Sequence, residues 1–393
     1  MEDAVRLGVN GWRLRGKLTG VGRYVFNVVR HWTAEAVDSR FDEVNFYVPK
    51  PMNRQETPLP LNIRERVIGP DWRMLAWENL RLGPVATDDV LFCPSFSIPL
   101  RRHGRTVVTT HEATLALFPE MYSRRARMLY ARLYGWSARH ATLVITHTEA
   151  ARQDIARAYR VPLARIRVVP LAPTEIFRPL SGNRRVAEAR QRYVGSAAPF
   201  FLFVGTLTPR RNVPKLLEAF ARLKRVTALP HKLVVIGLNT TNLDLAAMAG
   251  ALGIAAHFTY VPYISDEDLS LLYNAAEAFV MPYTYESVSL TALEAQACGT
   301  PVVIGDTAGL RETTGEAAVF IPKAEVQEIA TAMSRVATDP SLRRELAKQA
   351  LEHARQFSWK RCAAETLAVL HEAAQLPGPA AVPGRFERKP VGR

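Results

Sequence analysis

Residues 278–304 constrain the fold most. Ala278-Phe279-Val280-Met281 is an apolar run short enough for a strand and continuous enough to be buried on both faces, as in a parallel sheet. Pro282 ends it and opens a loop. From about Ser289 the pattern turns helical, with Leu290, Leu293 and Ala297 on one face; Gly299 and Pro301 stop the helix, and Val302-Val303-Ile304 begins the next strand. Such a strand–loop–helix–strand unit belongs to a parallel α/β sheet. Its loop lies at the carboxyl end of a strand, where open α/β sheets bind ligands. Two carboxylates frame the loop. Glu286 and Glu294 have seven residues between them; as eight helical steps they would lie roughly 80° apart about the axis. Glu286 precedes the helix and is free to fold over its start, where unsatisfied N–H groups favour an anion. Amides that hold phosphates, beside a carboxylate that accepts ribose hydroxyls, suit a nucleotide. The same pattern also fits two surface acids near a helix N-terminus.

The rest of the chain repeats the theme. Val5–Val9, Val44–Val48, Val90–Cys93, Arg105–Thr110 and Leu143–Thr146 read as strands of a first domain, which closes near Val168-Val169-Pro170 and Phe177-Arg178-Pro179. Residues 49–70, rich in proline and charge, read as an irregular excursion. Residues 180–199 read as a linker with a short helix, and Phe200-Phe201-Leu202-Phe203-Val204 opens a second domain. Expected boundaries are 1–180, 181–357, a helix over 358–375, and a disordered Pro/Gly-rich tail over 376–393. With 393 residues the chain is long enough for two such cores.

Three candidate sites accompany these strands. Gly16-Lys17-Leu18-Thr19-Gly20-Val21-Gly22-Arg23-Tyr24 joins the first strand to a helix, and glycines there let backbone amides approach a diphosphate; a flexible turn is the alternative. His111 ends a strand, where an imidazole can donate to a sugar hydroxyl or simply support the fold. Arg210 and Arg211 follow the 200–204 strand and can grip phosphate oxygens. Ser265 and Asp268 read as a capping box rather than an acidic metal site.

Net charge is +14, and residues 1–180 hold 27 Lys and Arg against 17 Asp and Glu. A basic half faces either plain solvent or an anionic partner: a membrane, a lipid-linked acceptor or a phosphorylated substrate. The arginine-rich segment 123–140 is either a helix covering the sheet or one lying on a membrane surface. No nucleic-acid recognition motif is present, so no nucleic-acid partner is expected. No apolar run approaches 18 residues, the first residues do not form a signal peptide, and Cys93, Cys298 and Cys362 lie far apart. A cytoplasmic protein follows as the expectation, with peripheral contact at the inner face of the membrane if the basic half is used that way.

Taken together the motifs resemble the retaining glycosyltransferases of family GT4. Glu286, seven residues, Glu294 and the tail Ala297-Cys298-Gly299-Thr300-Pro301-Val302-Val303 match that family's signature. Gly20 and Gly22 match its N-terminal glycine loop, His111-Glu112 with Phe118-Pro119-Glu120 its histidine segment, and Val204-Gly205-Thr206-Leu207 with Pro209-Arg210-Arg211-Asn212 its phosphate segment. The chain departs in four places. Ser287-Val288-Ser289 stands for Gly-Phe-Gly, Glu112 for Asp, Arg211 for Lys, and Tyr260 for Gly. The resemblance implies a GT-B architecture, two doubly wound Rossmann-like α/β domains facing a cleft. It implies a nucleoside diphosphate sugar as donor, a saccharide or lipid-linked saccharide as acceptor, and retention of configuration; because fixed arginines and helix-terminal amides can stabilise the charge on the leaving phosphate, neither a metal nor another cofactor is expected. By resemblance His111, Arg210, Arg211 and Glu286 serve catalysis. Gly20, Gly22, Val261, Ser287, Val288, Ser289, Leu290 and Glu294 bind the donor, with Glu294 on the ribose and Val261 at the base. Two alternatives stay open: a GT-B nucleotide-sugar epimerase or phosphorylase, and a non-catalytic basic binding protein on the same scaffold.

Overall fold

The computed structural model describes residues 5–15, 20–52, 62–180, 182 and 184–377. Of the expected features, Gly16–Thr19 of the glycine loop and most of the C-terminal tail lie outside these residues. The described chain forms two α/β domains, each built on a parallel sheet. The first sheet contains β1 (Arg6–Asn10), β2 (Glu43–Val48), β3 (Ile63–Val67), β4 (Val90–Cys93), β5 (Arg105–Thr109), β6 (Leu143–Thr146) and β7 (Ile166–Val168), in the order β3-β2-β1-β4-β5-β6-β7. The second contains β8 (Phe200–Val204), β9 (Lys232–Ile236), β10 (Phe258–Val261), β11 (Ala278–Met281), β12 (Val302–Gly305) and β13 (Val319–Ile321), in the order β10-β9-β8-β11-β12-β13.

The central strands are parallel because they are apolar on both faces. Every residue of β4, β6, β8, β11 and β12 is buried, and helices cover both sides. Strand order reverses beside β1 and β4 in the first sheet, and beside β8 and β11 in the second. At such switch points the outgoing chains splay apart and leave a crevice.

The excursion expected over 49–70 is corrected in part: Ile63–Val67 is β3, paired in parallel with β2. It escaped a hydrophobic reading because it is an edge strand. Only Ile63 is fully buried; Arg64 and Arg66 are exposed and Glu65 is half-buried, the charged dress that keeps an edge from pairing further. The 123–140 segment divides. Gly135, Ser137 and Ala138 are buried on the sheet, whereas Arg124, Arg125, Arg132, Met128 (65 % exposed) and Leu129 (54 %) face solvent. The helix Trp359–Gln375 runs back to the first sheet. Its Trp359, Cys362, Ala363, Leu367 and Leu370 share a core with Val25, Val28, Phe92 and Val107. No helix among the described residues is long and apolar enough to cross a membrane.

Candidate active site

Four helices meet the crevice: α1 (Gly20–Arg30) after β1, α2 (Glu149–Tyr159) after β6, α3 (Asp266–Ala275) after β10 and α4 (Leu290–Ala297) after β11. Between the two switch points lies a cavity of about 510 Å³, a size usual for small-molecule sites. Gly20, His111, Arg210, Arg211, Glu286, Ser287, Val288, Ser289, Leu290 and Glu294 all line it. Gly22 is buried inside α1 and is absent from the wall. Val261, at the end of β10, is also outside the wall, and its carbonyl accepts from the Gly237 N–H at 3.0 Å. Tyr260, where the family has glycine, donates its hydroxyl to the Gly237 carbonyl at 3.0 Å.

Ser289 is the N-cap of α4: its hydroxyl accepts from the Ala292 N–H at 3.2 Å. Ser289, Leu290 and Thr291, at the start of that helix, line the cavity, and the amides of a first helical turn have no intrahelical partner. Ser265 likewise caps α3, accepting from the Asp268 N–H at 3.1 Å. Among the described residues no group of three or more His, Cys, Asp or Glu side chains is placed to hold a metal ion.

Arg210 carries the densest polar contacts. It donates to Glu286 at 2.9 Å and lies 3.3 Å from Glu112, which belongs to the other domain. Burial alone would lower its pKa, but Glu286 and Glu112 outweigh burial and raise it. Burial pushes the Glu286 carboxyl up, against the pull of Arg210. Arg211 lies over the Tyr283 ring, 5.2 Å from its centroid, and its Nε is buried without a partner. Gly205 makes this possible, since a Cβ there would collide with the Arg211 guanidinium and the Tyr283 hydroxyl.

Glu294 is 5 % exposed, and its Oε2 is buried with no hydrogen-bond partner. Burial pushes its carboxyl up to about 8, only partly countered by Arg23. A group whose folded pKa lies above the usual carboxylate value binds its proton more tightly in the folded state. Its contribution therefore falls as pH rises from about 4.5 through about 8. Thermal melts of the wild type relative to Glu294→Gln should diverge across that window, the wild type losing more stability toward pH 9.

His111 is placed differently from what its chain position suggests. Both ring nitrogens are taken up inside the protein: Nδ1 shares a 2.7 Å bond with His147 Nε2, and Nε2 faces the Pro94 carbonyl at 3.1 Å. The reason is strand adjacency, because His147 follows β6, which pairs with β5 beside it. Burial, then His147, hold the His111 pKa well below the usual imidazole value. Edge-on contacts with Tyr24 and Phe96 complete its surroundings.

Sequence reasoning did not place Val21, Arg23, Tyr24, Phe96, Glu112, Leu171, Tyr283 and Thr291 in the wall. Arg23 and Tyr24 follow directly on Gly22 in the glycine loop, so the signal was adjacent.

The arrangement, two doubly wound domains with ligand crevices facing each other, is that of the GT-B glycosyltransferases. It superposes on an Anabaena protein solved in complex with UDP-glucose, with a TM-score of 0.71 at 16 % identity over 92 % of this chain and 98 % of that one. The family model described as glycosyl transferases group 1 matches residues 188–353, and that of glycosyltransferase family 4 matches residues 18–172. An O-antigen chain mannosyltransferase B of Escherichia coli is 28 % identical over 372 residues, 89 % of this chain and 95 % of that protein. A D-inositol 3-phosphate glycosyltransferase of Kribbella flavida is 32 % identical over 310 residues, 76 % and 70 % of the two chains. The chain belongs to the group 1, family 4 glycosyltransferases.

Proposed function

We propose that the enzyme transfers a hexose from a nucleoside diphosphate sugar to a hydroxyl of a saccharide or lipid-linked saccharide, with retention and without a metal ion. The observation that carries this reading is the division of one cavity. Arg210, Arg211 and the capped start of α4 offer positive charge, and Glu294 offers a buried carboxylate oxygen that nothing satisfies. A nucleoside diphosphate has the complementary pair, a diphosphate and a ribose diol. The mannosyltransferase name of the E. coli relative and the UDP-glucose bound to the Anabaena protein support a hexosyl donor, with UDP as one candidate carrier; GDP is the other we expect.

In this reading the bond from the anomeric carbon to the β-phosphate oxygen breaks, and its electron pair stays on phosphate. Arg210 and Arg211, fixed donors on the cavity wall, hold the growing charge. The acceptor hydroxyl attacks from the face the phosphate leaves and passes its proton to a phosphate oxygen. Glu286 accepts from sugar hydroxyls. His111 joins in by giving up the Pro94 carbonyl and turning its N–H to the sugar. The exposed Met128 and Leu129 beside Arg124, Arg125 and Arg132 provide a face for an anionic membrane that would present a lipid-linked acceptor.

The test is product analysis. Purified enzyme with GDP- or UDP-hexose and a saccharide acceptor should give a product whose one-bond anomeric carbon–proton coupling shows the donor's anomeric configuration, at an unchanged rate in excess chelator. An inverted product, or loss of rate in chelator, would overturn the corresponding part. Turnover of the nucleotide sugar with no acceptor would favour an epimerase.

A further inference from the structure

The cleft is crossed by several side chains, and one crosses at the Glu294 end. Arg23 projects from α1 of the first domain. Its Nη2 pairs with Asp266 at the start of α3 in the second domain, and its Nη1 lies 3.8 Å from Glu294 Oε1. Arg23 also lines the cavity. The other crossings do not contact Glu294: Arg210 lies 3.3 Å from Glu112 at the Glu286 end of the same cavity. The Thr148 hydroxyl donates to the Ser287 carbonyl at 2.7 Å, the Tyr285 hydroxyl donates to Asp154 at 2.5 Å, and Glu312 accepts from the first amides of α2. These hold the domains together whatever fills the ribose end. Arg23 alone of these contacts touches the carboxylate assigned to ribose.

We infer that Arg23 is a positioning residue for the donor, the means by which the first domain closes on an occupied ribose subsite: it stays on Asp266 across the cleft while the ribose diol takes its place beside Glu294. This rests on the donor reading given above. The geometry has the two features such a role needs. The guanidinium has a firm partner, Asp266, that does not lie in the ligand's path along Glu294. Its second contact, at 3.8 Å, is too long for a hydrogen bond and leaves both Glu294 oxygens available to a diol.

The electrostatics give a signature. A diol donating two hydrogen bonds favours the ionised carboxylate, so donor binding must draw a proton off Glu294. The groups facing that carboxyl are Arg23 on α1, Asp266 and Tyr273 on α3, and Cys298 just beyond its own helix. Arg23 eases ionisation and Asp266 opposes it. Removing the two should therefore shift the pH dependence of binding in opposite directions, which loss of a purely structural contact would not do.

The experiment is calorimetric titration with UDP and with GDP from pH 6 to 9 for the wild type, Arg23→Ala, Arg23→Lys and Asp266→Asn, with Glu294→Ala alongside. Titration of the nucleotide's own phosphate is common to all and cancels in the differences. Arg23→Ala should bind about tenfold more weakly at pH 7, with the loss shrinking toward pH 9 as the midpoint moves up. Arg23→Lys, which keeps the charge, should restore the midpoint. Asp266→Asn should move the midpoint down. Should Arg23→Ala not fold, the Lys and Asp266 variants still decide. Midpoints that coincide with the wild type, while Glu294→Ala abolishes binding, would overturn the role of Arg23 and leave the donor site standing. Unchanged binding by Glu294→Ala would overturn both.

Discussion

Replacing Arg210 by Ala is expected to lower turnover by about 10²- to 10³-fold, roughly 3–4 kcal/mol, the cost of losing one fixed donor on a developing anion. The fall should appear in kcat more than in KM, since the charge it answers grows only as the sugar departs. The variant should also be less stable. Arg210 is hydrogen-bonded to Glu286 and lies close to Glu112, and its removal leaves two acids facing each other with only the weaker pull of Arg211 on Glu286. Breaking a buried pair from one side costs about 3–5 kcal/mol, reduced here by whatever proton one acid takes up. Arg210→Lys should recover part of both losses, because it keeps the charge and gives up the planar fork. Steady-state kinetics with thermal melts check the two together. A variant that melts lower but turns over within tenfold of the wild type would make Arg210 a structural counter-ion only.

Replacing Glu294 by Ala should separate binding from stability in the opposite sense. Nucleotide affinity should drop at least about 10²-fold, because two hydrogen bonds to an ionised carboxylate are lost, each about 1.5–3 kcal/mol. The empty protein should melt no lower than the wild type, and higher at alkaline pH. Glu294 is buried with one oxygen unsatisfied, and deleting such a group removes a desolvation cost; of the groups beside it, Arg23 keeps Asp266 and the buried Tyr273 hydroxyl already lacks a hydrogen-bond partner. Sites that trade stability for ligand binding behave this way. A large loss of stability with unchanged affinity would reverse the assignment of Glu294 from ligand group to core support.

Local pattern made much of this legible. Buried runs such as Phe200–Val204 and Ala278–Met281 are strands because their side chains are apolar on both faces. Ser289 and Ser265 cap the helices they precede. Ten of the residues singled out from the chain line one cavity because the loops that carry them leave the carboxyl ends of β1, β5, β8 and β11, at or next to the two switch points. What the sequence hid falls into two kinds. Edge strand β3 shows charge where a hydrophobic reading looks for alternation. The pairs that shape the site join residues far apart: His111 with His147, Arg210 with Glu112, Arg23 with Asp266. Each depends on how strands are ordered or on how two sheets face, and neither is written in a local window. Glu112 shows the difference well. Read along the chain it is a small change from aspartate; in the fold its carboxylate lies 3.3 Å from Arg210 of the other domain.

The central claim is that this cavity holds a nucleoside diphosphate. Calorimetric titration of the wild type at pH 8 with UDP, GDP, ADP and dTDP tests it most directly. Micromolar binding of one of the four, at one site per chain and undiminished by chelator, is the predicted result. Absence of binding to all four by protein that is folded and melts cooperatively would contradict it.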